Sequence, residues 1–254
     1  MTSYSSSEMM IVAAARMLRD NDVVFVGIGQ PNLACNLARR THAPNLNMIY
    51  EAGVIGAQPS HLPLSIGDPC LVSGAASICS MYEIFAYYLQ NGKIDVGFLG
   101  GAQIDRFCNV NATVIGSYDH PKTRLPGSGG SAEIAAWANR VYFITPHQKR
   151  RFPEKCDFIT SAGFLSHRSE RTAKGLRGGG PQEVVTDLGL LTPDRDSGEL
   201  ILTALHPGAT AEQAIANTGW PLKVAGNLKT TEPPTAEELR LLREELDPQG
   251  MYLK

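Results

Sequence analysis

The sequence predicts an α/β fold, a mostly parallel open sheet with flanking helices. Two observations carry this. Short runs of β-branched and aromatic residues recur without polar alternation: Val23-Val24-Phe25-Val26, Met48-Ile49-Tyr50, Val96-Gly97-Phe98-Leu99 and Val141-Tyr142-Phe143-Ile144. That is the pattern of strands buried on both faces, as in a parallel sheet. Each run closes in a turn holding Gly or Pro, and helical stretches such as Tyr82 to Leu89 and Ala132 to Ala138 lie between several of them. Strands alternating with helices make βαβ units.

The elements follow in order. Ser5 and Glu8 have the spacing of a capping box, and Met10, Ala13, Ala14, Met17 and Leu18 then recur on one helical face. The first strand ends at Gly27-Ile28-Gly29, the second at Glu51-Ala52-Gly53, the third at Gly100-Gly101 and the fourth at Thr145-Pro146. Val184-Val185 and Leu200-Ile201-Leu202 are later strands. Between them, Ser166 to Pro181 is rich in charge and glycine and reads as a long surface loop. Thr210 with Gln213 and Thr235 with Glu238 form two further capping boxes. The last helix places Leu239, Leu242 and Leu246 on one face, follows a hinge at Pro233-Pro234 and stops at Asp247-Pro248.

Composition narrows the function. A chain of 254 residues, 43% apolar and 19% charged, has an ordinary globular core. Its formal charge of −2 argues against a nucleic-acid partner, which needs a basic field. The five cysteines are odd in number and form no CxxC pair, and the six histidines lack metal-ligand spacing, so neither a disulfide scaffold nor a metal is expected. No secretory signal and no membrane-length apolar run is present, which points to a reducing, cytoplasmic location.

In parallel sheets ligands sit beyond the carboxyl ends of the strands, where these glycine turns lie. Gly27 and Gly29, with Glu51 one strand later, partly mimic a dinucleotide fingerprint, but Asn32 stands where its third glycine belongs. A tight strand–helix turn is the simpler reading of that segment. Glu51 itself is a carboxylate at the tip of an apolar strand. Local sequence leaves two roles open: a side chain reaching solvent or capping a helix, or a nucleophile able to attack a thioester. Gly127-Ser128-Gly129-Gly130 precedes a helix and reads equally as a plain glycine-rich loop or as successive amides presented to an anion; it lacks the Gly-Lys-Ser/Thr ending of a nucleotide phosphate loop. Gly101 and Gln103 lie at the third strand end, followed by Asn109 and Asn111, for which ordering of the loop is the simpler role. His147 to Arg151 is a basic run, read first as solvated and second as a phosphate contact.

Taken in order, these motifs resemble the β subunits of family I coenzyme A-transferases. The resemblance runs through Val26-Gly27-Ile28-Gly29, the Glu51-Ala52-Gly53 turn, Ser65-Ile66-Gly67-Asp68, Phe98 to Arg106, His120-Pro121-Lys122, Gly127 to Gly130, Leu205-His206-Pro207-Gly208 and Asn217-Thr218-Gly219-Trp220. It implies a single β-subunit domain over residues 1–254. It implies a partner α subunit, an α2β2 assembly, and an active site between the two subunits. Glu51 is then the catalytic glutamate, and Gly127, Ser128, Gly129 and Gly130 lie by the thioester. Gly27, Gly29, Gly101 and Gln103 are then the substrate-binding residues. Coenzyme A is a substrate, with no metal or redox cofactor. Succinyl-CoA is the expected donor and 3-oxoadipate or glutaconate the acceptor. The alternative on the same fold is a C–C hydrolase or decarboxylase of CoA thioesters. One departure stands out: Cys108 occupies a position where the family usually has glycine.

Overall fold

The computed structural model describes residues 3–59 and 61–253. The chain folds into two compact units, Met1–Phe98 with Glu232–Lys254, and Leu99–Thr231.

The first unit opens with α1, Ser6–Ala15, where Ser5 and Glu8 make the expected capping box. Every residue from Met9 to Ala15 is buried, so α1 is enclosed on all sides and does not show one apolar face to a core. β1 is Val23–Phe25, α2 Gln30–Arg40, β2 Asn47–Tyr50, β3 Val54–Ile55 and β4 Ser77–Ile78. α3, Met81–Glu83, runs on as a π-helix over Ile84–Leu89, and β5 is Val96–Leu99. The strand order is β5-β1-β2-β3-β4. β1 lies parallel to both β2 and β5, while β3 and β4 add antiparallel to the edge. The C-terminal helix Ala236–Arg240, extended as a π-helix over Leu241–Leu246, returns to α1. Two ion pairs fasten it there: Arg243 to Glu8, and Arg16 to Glu238 at 2.6 Å. Arg16 also donates to the carbonyls of Glu232 and Pro233, which fixes the predicted hinge.

The second unit starts with two small hairpins, β6 (Gln103–Ile104) with β7 (Val110–Asn111), and β8 (Val114–Gly116) with β9 (Pro121–Arg124). α4 is Ser131–Trp137, β10 Arg140–Ile144, α5 Arg168–Ala173, β11 Pro181–Val185, β12 Gly189–Pro193, β13 Leu200–Leu205, α6 Ala211–Ala216 and β14 Lys223–Thr230. The strands run in the order β14-β13-β12-β11-β10. β10 pairs parallel with β11 and β13 with β14, and the β11-β12-β13 meander is antiparallel. The fold is thus α/β with a large, mostly parallel sheet and flanking helices, as the sequence predicts. Among the described residues no helix is long and apolar enough to cross a membrane.

One prediction fails in a useful way. Ser166 to Pro181 is not a plain surface loop: it contains α5, and Arg171 in that helix is only 3% exposed. Its guanidinium donates to five backbone carbonyls, those of Ala135, Ala136, Ala162, Gly163 and Gly178, at 2.6–3.4 Å. A charged residue in a glycine-rich stretch looks solvated in sequence; here it is the peg on which the stretch hangs.

A half-buried carboxyl makes stability depend on pH. Glu183 on β11 faces the hydroxyls of Thr192 and Thr203 and no cation. Burial pushes its carboxyl up to about 7. The unfolded chain releases that proton near pH 4, so the folded state binds more protons between about pH 4 and 7. The contribution is therefore complete below about pH 4 and is lost as pH rises to about 7. It amounts to about 2 kcal/mol, reduced because part of the side chain reaches solvent. Urea unfolding should show this decline in the native chain and a flatter profile in Glu183→Gln.

Candidate active site

Tyr50 pairs with Val54 across β2 and β3, so Glu51-Ala52-Gly53 is the three-residue loop of a tight hairpin. Gly53 has φ +109°, and a Cβ added there would lie 1.8 Å from the carbonyl oxygen of Cys79. The Cys79 amide donates back to the Gly53 carbonyl at 2.9 Å. No residue but glycine fits, and the turn is clamped from below. Tyr50 is fully buried, and its hydroxyl accepts from Asn32 Nδ2 at 2.8 Å. Asn32 Oδ1 in turn accepts from Asn36 Nδ2 at 2.7 Å. The asparagine standing in place of a third glycine therefore anchors the end of β2 to α2.

Glu51 rides on this rigid tip and is partly buried. Among the described residues no hydrogen bond or ion pair engages its carboxyl. Burial alone pushes that carboxyl upward, with no contribution from a neighbouring charge. The parallel register of Phe25 with Ile49 sets the ends of β1 and β2 side by side, with Gly27 just past the one and Glu51 just past the other. A Cβ on Gly27 would meet nothing within 4 Å, so the space over this turn is open. Gly29, with φ +87°, caps α2, and the ring of Tyr252 lies 3.8 Å from where its Cβ would be. The buried Asp247 carboxylate holds the segment carrying that ring by accepting from the amides of Met251, Tyr252 and Leu253. Gly27 and Gly29 thus follow β1, Glu51 follows the neighbouring β2, and Tyr252 lies against the Gly29 turn. Nothing in the sequence places Tyr252 there.

In the second unit, Gly127 and Gly129 have φ +98° and +47°, and added Cβ atoms would meet nothing within 4 Å. The Gly127 amide donates to the Ala112 carbonyl at 2.8 Å, so Gly127 shapes the turn and is not a free donor. The amides of Ser128, Gly129 and Gly130 find no acceptor among the described residues. Ser128 and Gly129 are exposed. Three successive amides over open space suit a developing oxyanion.

Gly101 and Gln103, expected at the substrate, are both tied into the packing of the second unit. A Cβ on Gly101 would lie 2.3 Å from Val110 Cγ1, so this glycine permits close packing. Gln103 is buried; its amide donates to Asp157 and accepts from Asn111 and from the Asp157 amide. Asn109 and Asn111 are likewise buried, Asn109 bridging Asp105 to the Gly163–Leu165 segment and Asn111 organising the β7–β8 turn. Their role is to order the loops. Cys108 adopts φ +61°, a left-handed conformation that glycine accepts without strain. The basic run divides. His147 is buried between Thr186 and Thr218 and pushed down to about 4 by burial, Arg151 donates to the Gly101 carbonyl, and Lys149 and Arg150 are exposed. His61, Asp68 and Cys70 bring ligand-type atoms within 4.8 Å of one another, a proximity their sequence spacing does not announce. The Asp68 carboxylate there already accepts from the amides of Leu64 and Cys70.

The family described as Coenzyme A transferase matches residues 7–217 of this chain. The chain belongs to the coenzyme A transferase family. It is therefore an enzyme, a CoA-transferase, and the likeness read from its motifs holds over most of its length. It is 52% identical over 243 residues to a 3-oxoadipate CoA-transferase subunit of Pseudomonas knackmussii, covering 96% of this chain and 94% of that one. It is 36% identical over 258 residues to a glutaconate CoA-transferase subunit of Acidaminococcus fermentans, covering 100% and 96%. Among solved structures, the glutaconate coenzyme A-transferase of Acidaminococcus fermentans superposes with a TM-score of 0.94 at 35% identity, covering 100% of this CoA-transferase chain and 98% of the other.

Proposed function

We propose that this chain is the β subunit of a CoA-transferase in which Glu51 carries the acyl and CoA groups. Coenzyme A passes from succinyl-CoA to a small dicarboxylate, 3-oxoadipate before glutaconate, because the relative named for 3-oxoadipate shares more of the sequence. The observation that carries this is an unpaired, partly desolvated carboxylate on a clamped glycine turn. Such a group must be ionised to attack, and with no hydrogen bonds to break it is a stronger nucleophile once it is.

The steps balance without a metal or redox cofactor. Glu51 attacks the thioester carbonyl, the C–S bond breaks, and CoA thiolate leaves behind a mixed anhydride. The thiolate then attacks the glutamyl carbonyl, releasing succinate and forming a glutamyl-CoA thioester. The acceptor carboxylate attacks that thioester, and the thiolate returns to the acceptor's acyl carbon, freeing Glu51. The amides of Gly129 and Gly130 are the natural donors to the tetrahedral oxyanions, and binding energy from the remote parts of CoA offsets the anhydride's instability. The relatives are named as single subunits of their enzymes, which supports an α partner for this chain. An α2β2 assembly in the cytoplasm completes the reading.

The test is to prepare the complex with its α partner, add succinyl-CoA without acceptor and reduce with borohydride. The peptide containing Glu51 should be recovered with its side chain reduced to the alcohol. Turnover with that peptide unmodified would overturn the proposal, and loss of thioester with carbon–carbon cleavage would indicate the hydrolase or decarboxylase reading.

A further inference from the structure

Arg171 poses a problem that its hydrogen bonds do not solve. All five of its N–H donors end on carbonyl oxygens, and no carboxylate pairs with it among the described residues. Carbonyl dipoles solvate a cation but bring no net charge, and buried charges in proteins are normally compensated. At 3% exposure this one is left uncompensated beside a cavity of about 400 Å³.

The cavity is lined by Arg168, Arg171 and Arg177 with the glycine turn Gly175 to Gly179. The two outer arginines are held in place: Arg168 lies 4.7 Å over the Phe164 ring and Arg177 lies 5.5 Å over that of Trp137. Neither has an acidic partner among the described residues. Arg106 shows the contrast, since it stacks on Phe107 yet pairs with Glu154 at 3.3 Å. Residues 168–177 hold four cations and one carboxylate, in a chain whose net charge is −2. That carboxylate, Glu170, is taken by the amide and hydroxyl of Ser166. Arg168 and Arg177 keep their donors for a ligand, and Arg171, whose N–H groups are all taken by carbonyls, adds its uncompensated charge behind them; that arrangement suits a phosphate, whose oxygens match the arginine fork.

We propose that this cavity is a phosphate-binding site and that it receives a phosphate group of coenzyme A. The second half rests on the transferase reading. α4 supplies a link within this unit: it begins at the Gly129–Gly130 amides and ends at Trp137, under Arg177, about 10 Å along. The reacting end and the anionic end of one ligand would then be read at opposite ends of one short helix.

The experiment uses the full chain at low ionic strength, where such contacts are least screened. Inorganic phosphate is titrated calorimetrically into the native protein and into the double variant R168E/R177E, and coenzyme A into the complex with the α partner. Arg177 is exposed and Arg168 half-buried, and a thermal melt confirms that the variant folds. Phosphate affinity should fall at least tenfold in the variant, and CoA affinity should fall with it. Equal phosphate affinity in the two proteins overturns the site. A loss for inorganic phosphate with CoA unaffected overturns the CoA assignment. A Glu51→Gln chain should bind phosphate as the native chain does, so failure of this site and failure of the glutamate mechanism are distinguishable.

Discussion

Glu51→Ala should lower turnover of the assembled enzyme by roughly 10⁴-fold or more, the scale expected when a covalent nucleophile is deleted. Stability should barely change, because the side chain makes no hydrogen bond or ion pair among the described residues. Glu51→Asp is the sharper probe. It keeps the carboxylate but draws it back by one methylene, and a misplacement on the order of 1 Å costs about 10²-fold. The loss should fall on kcat, with the KM for succinyl-CoA little altered. Steady-state kinetics on the three proteins checks the order, and an alanine variant that retains turnover would remove Glu51 from the chemistry.

The largest effect on stability belongs to Arg171. Arg171→Leu should destabilise the chain by about 3–5 kcal/mol, since it strands five inward-pointing carbonyls. Arg171→Lys keeps the charge but offers three donors in another geometry, so it should recover less than half of the loss. Urea denaturation of the three proteins reads this directly. Comparable stability in the leucine variant would show that the carbonyls find water or each other once the guanidinium is gone. An uncharged residue there should also weaken phosphate binding in the neighbouring cavity, though through the fold as much as through the charge.

The strands most legible in the sequence are those with both faces covered. β1, β2, β5 and β10 are runs of large apolar residues, and burial of that kind is written in composition. β3, β4, β6 and β7 are two residues each, too short to show any period. The turn at Glu51 is readable because glycine and a lone acid at a strand end are local signals. A glycine that permits close packing, as Gly101 does, and an amide that orders a loop, as Gln103 does, look the same in sequence as ones that bind a ligand. What separates them is whether the neighbouring space is filled, by Val110 and Asp157 here, or open, as over Gly27 and Gly129. Arg171 and Tyr252 are invisible for a related reason, since their partners come from other parts of the chain: carbonyls for Arg171, and the Gly29 turn for Tyr252.

The clamp on Gly53 has a mechanical corollary. A side chain that is acylated, then thioesterified, then acylated again is pushed by a different departing group each time. Recoil into a soft loop would misalign the next attack. Here the main chain is seated against the Cys79 carbonyl and cannot give way. All accommodation is left to the rotatable bonds of the glutamate itself, so successive covalent adducts would swing on a fixed pivot.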